Sequence, residues 1–563
     1  MQPAGAAGLL PRLADPRISA VTDLVDPAVA PSLTLRPLGS VPRGQTESRR
    51  AAPSGVITVG LVAGLVITSL GLRLADLGSG LWIDEGISVG VASHRLSEIP
   101  GLLAQDGSPP LYYVLLHGWM ALFGTSEQAT HALSLMLTLL AIPVALWAGW
   151  SLFDRRVGWT LAVMVAFSPY LSYFASDTRM YSLLAVLALV ATAAFLHAFA
   201  FGRRQYLWLF AVSLALVLYT HNWGLWLAAG FAMALVPCAI AAADRRRLWR
   251  DAALCFAAVA AAYVPWVPTL ASQRAHTGAP WSPRPTAREV VSLIADVLGD
   301  PHERVLVALL FVAGTVLWSV LRRRGSLRPA VVTLAALATV PVALGWLAAQ
   351  VNPAWAPRYL AVCAPAVLML AAVGLSRAGA RGLVALGLIV AIWIQPLAWI
   401  SGLRRTPGGA EKATVRPLAR ALAPELDAGD LVIVMQMEEV PVLAYYLPKG
   451  LAYATATGPV ADPGIADWRD ALARTRAATV EAALAPQLDR SAVGTDVVLV
   501  CSQPGTGPTA LPWFALMERH CAEWRAALGA DARFAPVPVA GGGSQPVDGA
   551  QVRQVLRFTK VAG

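Results

Sequence analysis

Long apolar runs without charged residues alternate with short polar segments between residues 55 and 401. Roughly 20 residues of helix cross the hydrocarbon core of a bilayer, and a helix satisfies its own backbone hydrogen bonds there. Each charge-free run therefore predicts a membrane-spanning helix. The pattern gives about eleven such helices, at 55–73, 128–152, 157–175, 180–201, 206–220, 223–242, 252–271, 305–321, 329–349, 358–376 and 382–401.

One further apolar piece, PPLYYVLLHGWMALFG at 109–124, is too short to cross the membrane. If it crossed, it would also invert every later loop. We interpret it as a helix on the outer membrane surface, with Tyr112, Tyr113 and Trp119 in the headgroup layer where amphipathic rings settle. A tilted or re-entrant half-span is the alternative.

The pattern changes after residue 402. The segments DLVIVMQ (430–436) and DVVLVCS (496–502) are typical of buried strands, and 513–530 is typical of an amphipathic helix. Pro- and Gly-rich pieces at 503–508 and 539–546 predict turns. No strand–GxGxxG–helix unit or Walker loop occurs in the sequence, so no nucleotide site is indicated.

Composition supports the membrane interpretation, because 56% of the residues are hydrophobic and only 14% are charged. A mean hydropathy of +0.58 excludes an ordinary soluble globular protein. The sequence thus predicts an all-α polytopic membrane protein carrying a C-terminal extracytoplasmic α/β domain. Its predicted divisions are a disordered cytoplasmic tail at 1–54, a transmembrane domain at 55–401 and the α/β domain at 402–563.

The net charge of +10 would suggest nucleic acid in a soluble protein, but most arginines lie in clusters between the predicted spans. With a cytoplasmic N-terminus, every cluster falls in a cytoplasmic turn, as the positive-inside rule requires. No nucleic-acid partner is expected. The clusters are Arg155-Arg156, Arg203-Arg204, Arg245-Arg246-Arg247, Arg322-Arg323-Arg324 and Arg377/Arg381.

Five cysteines are present. Cys238, Cys255 and Cys363 lie within or beside apolar spans and are expected to be small buried residues. Cys501 and Cys521 lie in the C-terminal region without a CxxC motif, so zinc is not expected there. If that region is extracytoplasmic, they could form a disulfide; free thiols are the alternative.

Acidic residues group on the predicted outer face. Asp84 and Glu85 follow the first span in LWIDEGISVG, Asp106 precedes the surface helix, and Asp177 with Arg179 lies between the third and fourth spans. A single loop carboxylate is usually solvated or caps a helix. Their grouping on one face, beside apolar residues, predicts a functional site there.

Several motifs together resemble the polyprenyl-phosphate-sugar-dependent glycosyltransferases of the GT-C fold, and most closely the protein O-mannosyltransferase-like branch, which includes the bacterial lipid A aminoarabinose transferases. The resemblance is close over roughly 75–225, looser to about 400, and does not cover the C-terminal region. The motifs are WIDEG, DGSPPLYYVLLHGWMALFG, FDRR, SPYLSYFASDTRMYSLL, YTHNWGL and PRYL.

The resemblance implies roles at matching positions. Asp84 matches the proposed general base, with Glu85 orienting it or the acceptor, and Asp177 matches the acid of the second loop. Candidates for holding the lipid phosphate are Arg179 and Arg358, although Arg358 could instead snorkel to the headgroups. The family's commoner HPPLYY motif has a histidine where this chain has Ser108, so no role is transferred to that position.

Further candidates for contact with sugar or acceptor are Asp106, Tyr112, Tyr181, His221 and Trp223. Interfacial anchoring explains such aromatic residues equally well, and a lone histidine is more often simply hydrogen-bonded. No histidine-built metal site and no cofactor are predicted, because the histidines form no ligand set. Asp84 and Asp177 could still share a divalent cation.

Together with these residues, the resemblance implies an inverting glycosyltransferase in the bacterial inner (plasma) membrane. It would move a sugar, with mannose or arabinose favoured, from a polyprenyl-phosphate carrier to a glycan, lipid or protein acceptor on the outer face.

Two other classes of protein stay open. A transporter or lipid flippase would place polar residues mid-span, often in inverted repeats with broken helices. A membrane scaffold would bind a partner through its C-terminal region.

Overall fold

The computed structural model describes residues 55–290, 297, 303–322, 325, 327–398, 415–503, 511–539, 544–545 and 552–563. The predicted tail at 1–54, the domain boundary near 402 and most of the turns at 503–508 and 539–546 lie outside these residues. The α-helices before residue 399 are α1 (Gly55–Arg73), α2 (Ile83–Ala92), α3 (Ile99–Asp106), α4 (Leu111–Phe123), α5 (Glu127–Leu152), α6 (Arg155–Phe167), α7 (Pro169–Ala175), α8 (Tyr181–Phe195), α9 (Leu207–Thr220), α10 (Gly224–Ala241), α11 (Arg245–Tyr263), α12 (Val267–His276), α13 (Glu303–Arg322), α14 (Arg328–Val351), α15 (Ala364–Arg377) and α16 (Ala380–Ala398).

Helical structure lies on each of the eleven predicted spans. Within the described ranges, six helices are long and apolar enough to cross a membrane, and a bent pair makes a seventh. The remaining four predicted spans fall on shorter apolar helices. The fold is therefore that of a polytopic membrane protein, and the number of eleven crossings stays a prediction. The six are Gly55–Gly78, Glu127–Leu152, Tyr181–Ala200, Gly224–Ala241, Arg245–His276 and Arg328–Val351.

The third predicted span, 157–175, is not one straight helix as expected. It consists of α6 and α7, which meet at an angle of 52°. Pro169 at the start of α7 cannot continue the hydrogen-bond ladder of α6, and the Ser168 hydroxyl accepts a bond from the Leu171 amide at 3.4 Å. The break turns Tyr170 towards the backbone of Pro357 and Arg358.

The predicted surface segment forms α4, but the expected position of its tyrosines is wrong. Tyr112 and Tyr113 are fully buried, whereas Leu122 and Phe123 are exposed. The reason is packing: α4 lies against α2 and α5, and residues spaced by a helical turn from Tyr112 face those helices. Trp119 is half-buried and donates to the Ala129 carbonyl at 2.7 Å.

The C-terminal region is an α/β structure, as predicted. The expected strands at 430–436 and 496–502 and the helix at 513–530 are confirmed. Its strands are β1 (Leu431–Val434), β2 (Ala452–Thr455), β3 (Gly458–Pro459), β4 (Asp496–Gln503), β5 (Phe534–Val537), β6 (Ser544–Gln545) and β7 (Val552–Lys560). Its α-helices are α17 (Val415–Leu422), α18 (Val440–Tyr446), α19 (Ala471–Ala477), α20 (Ala485–Arg490) and α21 (Pro512–Ala530).

These strands form one mixed sheet in the order β3-β2-β1-β4-β7-β5, with β6 also paired to β7. The central strands β2, β1 and β4 run parallel, and β7 is antiparallel to β4. All four residues of β1 are buried. This explains the continuous apolar run LVIV, since a parallel strand is covered on both faces.

A disulfide joins Cys501 in β4 to Cys521 in α21, with Cα atoms 5.8 Å apart. It fastens the long helix α21 to the centre of the sheet. The other three cysteines are free and buried, as the sequence predicts.

Replacing both Cys501 and Cys521 with alanine is expected to lower the melting temperature of the purified protein. The bond closes a loop across a sequence separation of 20 residues. A loop of that size contributes about 3 kcal/mol by restricting the unfolded chain. Thermal unfolding under non-reducing conditions measures the effect, with Cys238→Ala as the control at a buried free thiol. A double variant that melts with the wild type would contradict the expectation.

Candidate active site

Asp84 lies in the first turn of α2, where local sequence explains its position. Trp82 is the N-cap, and the Glu85 carboxylate accepts a hydrogen bond from the Trp82 amide at 3.1 Å. Acidic residues in the first turn also favour the positive end of the helix dipole. The WIDEG motif thus builds a helix start that presents the Asp84 carboxylate.

Two arginines from distant parts of the chain reach that carboxylate. Asp84 Oδ2 lies 3.4 Å from Arg358 Nη2 and 3.8 Å from Arg179 Nε. The side chains of Asp84, Arg179 and Arg358 are 17%, 10% and 22% exposed, so the cluster is sheltered but open to a ligand. The structure therefore brings together three residues that the sequence analysis proposed for one site.

Arg179 is fixed to α2. Its Nη1 donates to the Asp84 carbonyl at 3.3 Å and to the hydroxyls of Ser88 and Tyr113 at 3.2 Å each. One guanidinium therefore joins the first and second turns of α2 to α4. This arrangement suits a residue that positions Asp84.

Arg358 is held differently, by the faces of aromatic rings. Its Cζ lies 5.5 Å from the Trp82 ring centre, 5.1 Å from that of Trp281 and 5.7 Å from that of Tyr359. Contacts of this length are favourable cation–π interactions. Ring faces leave the N–H groups at the edge of the guanidinium available for an anion. The Tyr170 hydroxyl contacts the Arg358 carbonyl at 3.2 Å and fixes the backbone.

Glu85 is fully buried. Its Oε1 accepts a bond from the Thr178 amide at 2.7 Å and lies 2.7 Å from His131 Nε2. His131 Nδ1 in turn donates to the Leu77 carbonyl at 2.9 Å. Glu85 was predicted among the catalytic residues; this position fits the orienting role and leaves no surface for substrate.

Asp177 is also buried, at 1% exposure. Its Oδ1 accepts a hydrogen bond from the Trp82 indole at 2.9 Å, and its carbonyl accepts one from the Ser134 hydroxyl at 2.6 Å. Asp177 therefore orients Trp82, one of the rings that enclose Arg358. In the part of the chain that the structure describes, no three His, Cys, Asp or Glu side chains are grouped to hold a metal. The cation shared with Asp84 stays an untested prediction.

Asp106 lies at the end of α3, beside the cluster. Tyr113, whose hydroxyl binds Arg179, also contacts Asp106 Oδ2 at 3.4 Å. Burial raises the pKa of the Asp106 carboxyl above its ordinary value, and the charge of Arg179 opposes that rise. Asp106 is thus linked to Arg179, and through it to Asp84, by the Tyr113 hydroxyl.

An aromatic layer extends from Arg358. The His221 ring centre lies 5.9 Å from that of Tyr181 and 4.9 Å from that of Tyr359, and Trp223 lies 5.5 Å from Tyr359. Burial, together with the charges of Arg179 and Arg358, lowers the pKa of His221 to about 3. His221 Nδ1 accepts a bond from the Trp223 amide at 3.1 Å. The neutral ring therefore carries its proton on Nε2.

Tyr112 does not belong to this layer. It is fully buried beneath α4, with its hydroxyl 3.4 Å from Ser134 in α5. This burial does not support the predicted contact of Tyr112 with substrate, which stays a prediction.

Sequence reasoning missed several residues of the site. Tyr113, Ser88 and His131 take part in the site through contacts between separate elements, and no local sequence pattern reveals such contacts. Tyr359 could have been found, because it follows Arg358 in the PRYL motif. Trp281 lies in a long loop without any motif, and nothing in the sequence indicates its contact with Arg358.

The C-terminal region packs closely against α2 at two glycines one helical turn apart, Gly86 and Gly90. A Cβ atom on Gly86 would lie 2.5 Å from Val442 Cβ, and one on Gly90 would lie 1.9 Å from the Gly464 carbonyl oxygen. The Tyr446 hydroxyl accepts a bond from the Leu81 amide at 2.7 Å, just before α2. The helix that carries Asp84 is therefore positioned by residues 440–464 of the C-terminal region.

On the prediction that Asp84 is catalytic, replacing Gly90 with valine is expected to lower the reaction rate of the protein roughly 100-fold, because displacing a catalytic group by about 1 Å has that effect. The added side chain cannot fit against the Gly464 backbone, so α2 must shift. Gly101→Val is the control, since a Cβ there meets no atom within 4 Å. Steady-state rates of both purified variants provide the comparison; equal rates would show that this contact does not position Asp84.

Replacing Glu85 with glutamine is expected to destabilise the protein by about 2 kcal/mol, the usual effect of leaving a buried hydrogen-bonding group without its partner. The glutamine Oε1 can still accept from the Thr178 amide and face His131, but its NH2 group cannot accept the bond that Glu85 Oε2 receives from the Trp82 amide at 3.1 Å. Thermal unfolding of the purified protein measures this, and Glu98→Gln at an exposed position is the control. An unchanged melting temperature for Glu85→Gln would contradict the role given to the carboxylate.

Comparison with known proteins adds evidence for the fold. No family model matches the chain, and no curated protein matches its sequence. Among solved structures, ArnT from Cupriavidus metallidurans in the apo state superimposes with a TM-score of 0.57 at 16% identity, covering 89% of this chain and 98% of that chain. The same protein bound to undecaprenyl phosphate gives the same values.

Two other structures are similar. Mycobacterial arabinofuranosyltransferase AftD gives a TM-score of 0.51 at 16% identity, covering 90% of this chain and 40% of that chain. The Archaeoglobus fulgidus oligosaccharyltransferase gives 0.50 at 13% identity, covering 82% of this chain and 70% of that chain. At these identities the likeness shows the fold, which is the GT-C fold of membrane glycosyltransferases. The resemblance found in the sequence is confirmed at that level.

Proposed function

We propose that the protein is a glycosyltransferase that moves a sugar from a polyprenyl-phosphate carrier to an acceptor hydroxyl at the outer face of the membrane. The observation that carries this proposal is the Asp84 carboxylate beside the guanidinium groups of Arg179 and Arg358. A base and a phosphate-binding cation are the groups that such a transfer requires. The fold it shares with ArnT bound to undecaprenyl phosphate supports the choice of donor.

The two arginines have different parts in this proposal. Arg179 has three hydrogen bonds to α2 and α4 and serves to position Asp84. Arg358 contacts ring faces and one carboxylate oxygen, so its planar fork can turn two N–H groups to a phosphate. We therefore assign donor phosphate binding chiefly to Arg358.

In the transfer step, the Asp84 carboxylate accepts the proton of the acceptor hydroxyl. The hydroxyl oxygen forms a bond to the anomeric carbon while the bond from that carbon to the phosphate oxygen breaks. The phosphate leaves with the electron pair, and Arg358 stabilises its charge. One in-line displacement of this kind inverts the anomeric centre.

Donor binding also prepares the base. Asp84 is ion-paired to both arginines in the structure. A donor phosphate competes with Asp84 for the N–H groups of Arg358. Binding of the donor therefore frees Asp84 Oδ2 from Arg358, so that this oxygen can face the acceptor hydroxyl. The base is thereby exposed only when a donor is present.

The aromatic layer of Tyr181, His221 and Tyr359 is the proposed sugar platform. Ring faces pack on the apolar side of a sugar, and His221 Nε2–H can donate to a sugar hydroxyl since the ring is neutral. Trp223 supports this layer from beneath, where the absence of a side chain at Gly345 leaves room for its indole. The favoured sugars remain mannose and arabinose, with a glycan, lipid or protein as acceptor.

We place the site at the outer face of the bacterial plasma membrane. The arginine clusters predict this orientation, with the N-terminus inside. The disulfide between Cys501 and Cys521 supports it, because such bonds persist outside the cytoplasm. The break between α6 and α7 is a feature that transporters share, but Asp84, Arg179 and Arg358 lie outside the α-helical spans or at their ends, which supports chemistry at the membrane surface instead.

The decisive experiment is transfer by purified protein in liposomes, with a panel of radiolabelled polyprenyl-phosphate sugars and membrane-extract acceptors. Transfer from one donor would establish the reaction and identify the sugar. Movement of labelled lipid across the bilayer without any transfer would refute the enzyme and favour a flippase.

A further inference from the structure

A cavity of about 800 Å³ lies at the start of α6, beside the turn that joins α15 to α16. The far end of α6, 13 residues and about 20 Å away, leads to Tyr170 and the backbone of Arg358. The cavity is thus separate from the Asp84 site. It lies on the face that the arginine clusters predict to be cytoplasmic. Residues of its lining include Arg155, Arg156, Trp159, Val163, Leu383 and Leu386.

The cavity is charged at one end and apolar at the other. Arg155 and Arg156 begin α6, whereas Val163 lies two turns further into the predicted span, a rise of about 12 Å. Opposite Val163, α16 contributes Leu383 and Leu386. A ligand that fills this space therefore carries negative charge at its head and a hydrocarbon portion behind it.

Small residues create the space. Gly379 has a φ of +63°, which lets the chain turn sharply between α15 and α16. Gly382 packs directly on the Leu375 carbonyl, where a Cβ atom would lie only 1.8 Å from the oxygen. Behind the turn, the Ser376 hydroxyl donates to Thr160 at 3.0 Å and joins the two walls.

The nearby carboxylate does not cancel the charge. Asp154 accepts bonds from the amides of Arg156 and Val157 at 2.9 and 3.0 Å, and it lies 3.7 Å from Arg377. Arg155 lies over the Trp150 ring at 5.1 Å. With Arg377 balancing Asp154, the guanidinium groups of Arg155 and Arg156 give the mouth a net positive charge.

We propose that this cavity binds an anionic phospholipid of the cytoplasmic leaflet. The phosphate of its headgroup lies between Arg155 and Arg156, and the first part of an acyl chain lies along Val163, Leu383 and Leu386. Basic pockets between membrane helices on the cytoplasmic side bind anionic lipids. The arginines attract the negative headgroup, while the apolar residues contact the acyl chain. Inorganic phosphate satisfies only the charged end.

The test is native mass spectrometry of the full-length purified protein with phosphatidylglycerol, phosphatidylcholine or inorganic phosphate. The wild type is expected to retain phosphatidylglycerol in preference to phosphatidylcholine. Arg155→Gln/Arg156→Gln is expected to lower that retention roughly tenfold or more. The control is Arg246→Gln/Arg247→Gln, the same loss of charge in a cavity lined by Asp244, Arg246, Arg247 and Arg250, without apolar residues.

An equal loss of phosphatidylglycerol retention in Arg246→Gln/Arg247→Gln would overturn the proposal. It would mean that the lipid is attracted to positive charge in general and not to this cavity. Equal retention of the two lipids by the wild type would do the same. Val163→Phe narrows the apolar end while keeping both arginines, and it is expected to release phosphatidylglycerol. If Val163→Phe left lipid retention unchanged and inorganic phosphate displaced the lipid, the cavity would be a phosphate site. Unchanged melting temperatures distinguish lost binding from lost folding.

Discussion

Replacing Asp84 with asparagine is expected to reduce sugar transfer about 1,000-fold, within the range that a general base contributes. The amide has the shape of the carboxylate but cannot take the proton of the acceptor hydroxyl. The site should otherwise keep its form, since Arg179 is also bound to the Asp84 carbonyl, Ser88 and Tyr113. Transfer rates at saturating donor and acceptor, in liposomes, measure the loss.

Asp177→Asn is the matched control for that experiment. The asparagine side-chain oxygen still accepts the bond from the Trp82 indole, and Asp177 is only 1% exposed. We therefore expect Asp177→Asn to keep most of its activity. If Asp177→Asn abolished transfer while Asp84→Asn did not, Asp177 would be the base and the geometry proposed for Asp84 would be wrong.

Much of the fold could be predicted from the sequence because a bilayer imposes a simple rule on apolar runs. Helices lie where charge-free runs are found, and the C-terminal strands lie where short β-branched runs are found. The break in the third span could also have been found, since Pro169 follows Ser168 in the middle of the run. The run 157–175 is apolar throughout, and for that reason it was predicted as a single span despite Pro169.

The site was harder to predict for physical reasons. Asp84 and Arg179 were singled out by the grouping of acidic residues, and Arg358 by a family motif. Their contact across three elements follows from packing that no local pattern specifies. Tyr112 shows the opposite error: an aromatic residue near an interface fits headgroup anchoring and burial equally well. The close packing of residues 440–464 on α2 depends on Gly86 and Gly90. A glycine in a helix does not show in the sequence which segment will pack against it.

Arg358→Gln is expected to lower kcat/KM for the donor about 100- to 1,000-fold, the usual effect of removing one group that stabilises a developing negative charge. The glutamine keeps polar contact but loses the charge that holds the leaving phosphate. Arg358→Lys should recover only part of the activity, because an ammonium group lacks the planar fork that binds phosphate through two hydrogen bonds. Initial rates across donor concentrations measure both variants.

Arg179→Lys separates the two arginines. Arg179 positions Asp84 and α2, so this variant should lower kcat while the KM for the donor changes little. Loss at Arg358 should instead raise the KM for the donor and lower kcat, because phosphate is held in both the bound donor and the transition state. If Arg179→Lys raised the donor KM and Arg358→Gln did not, the phosphate would bind at Arg179. The aromatic cage of Trp82, Trp281 and Tyr359 would then serve only to hold Arg358 beside Asp84.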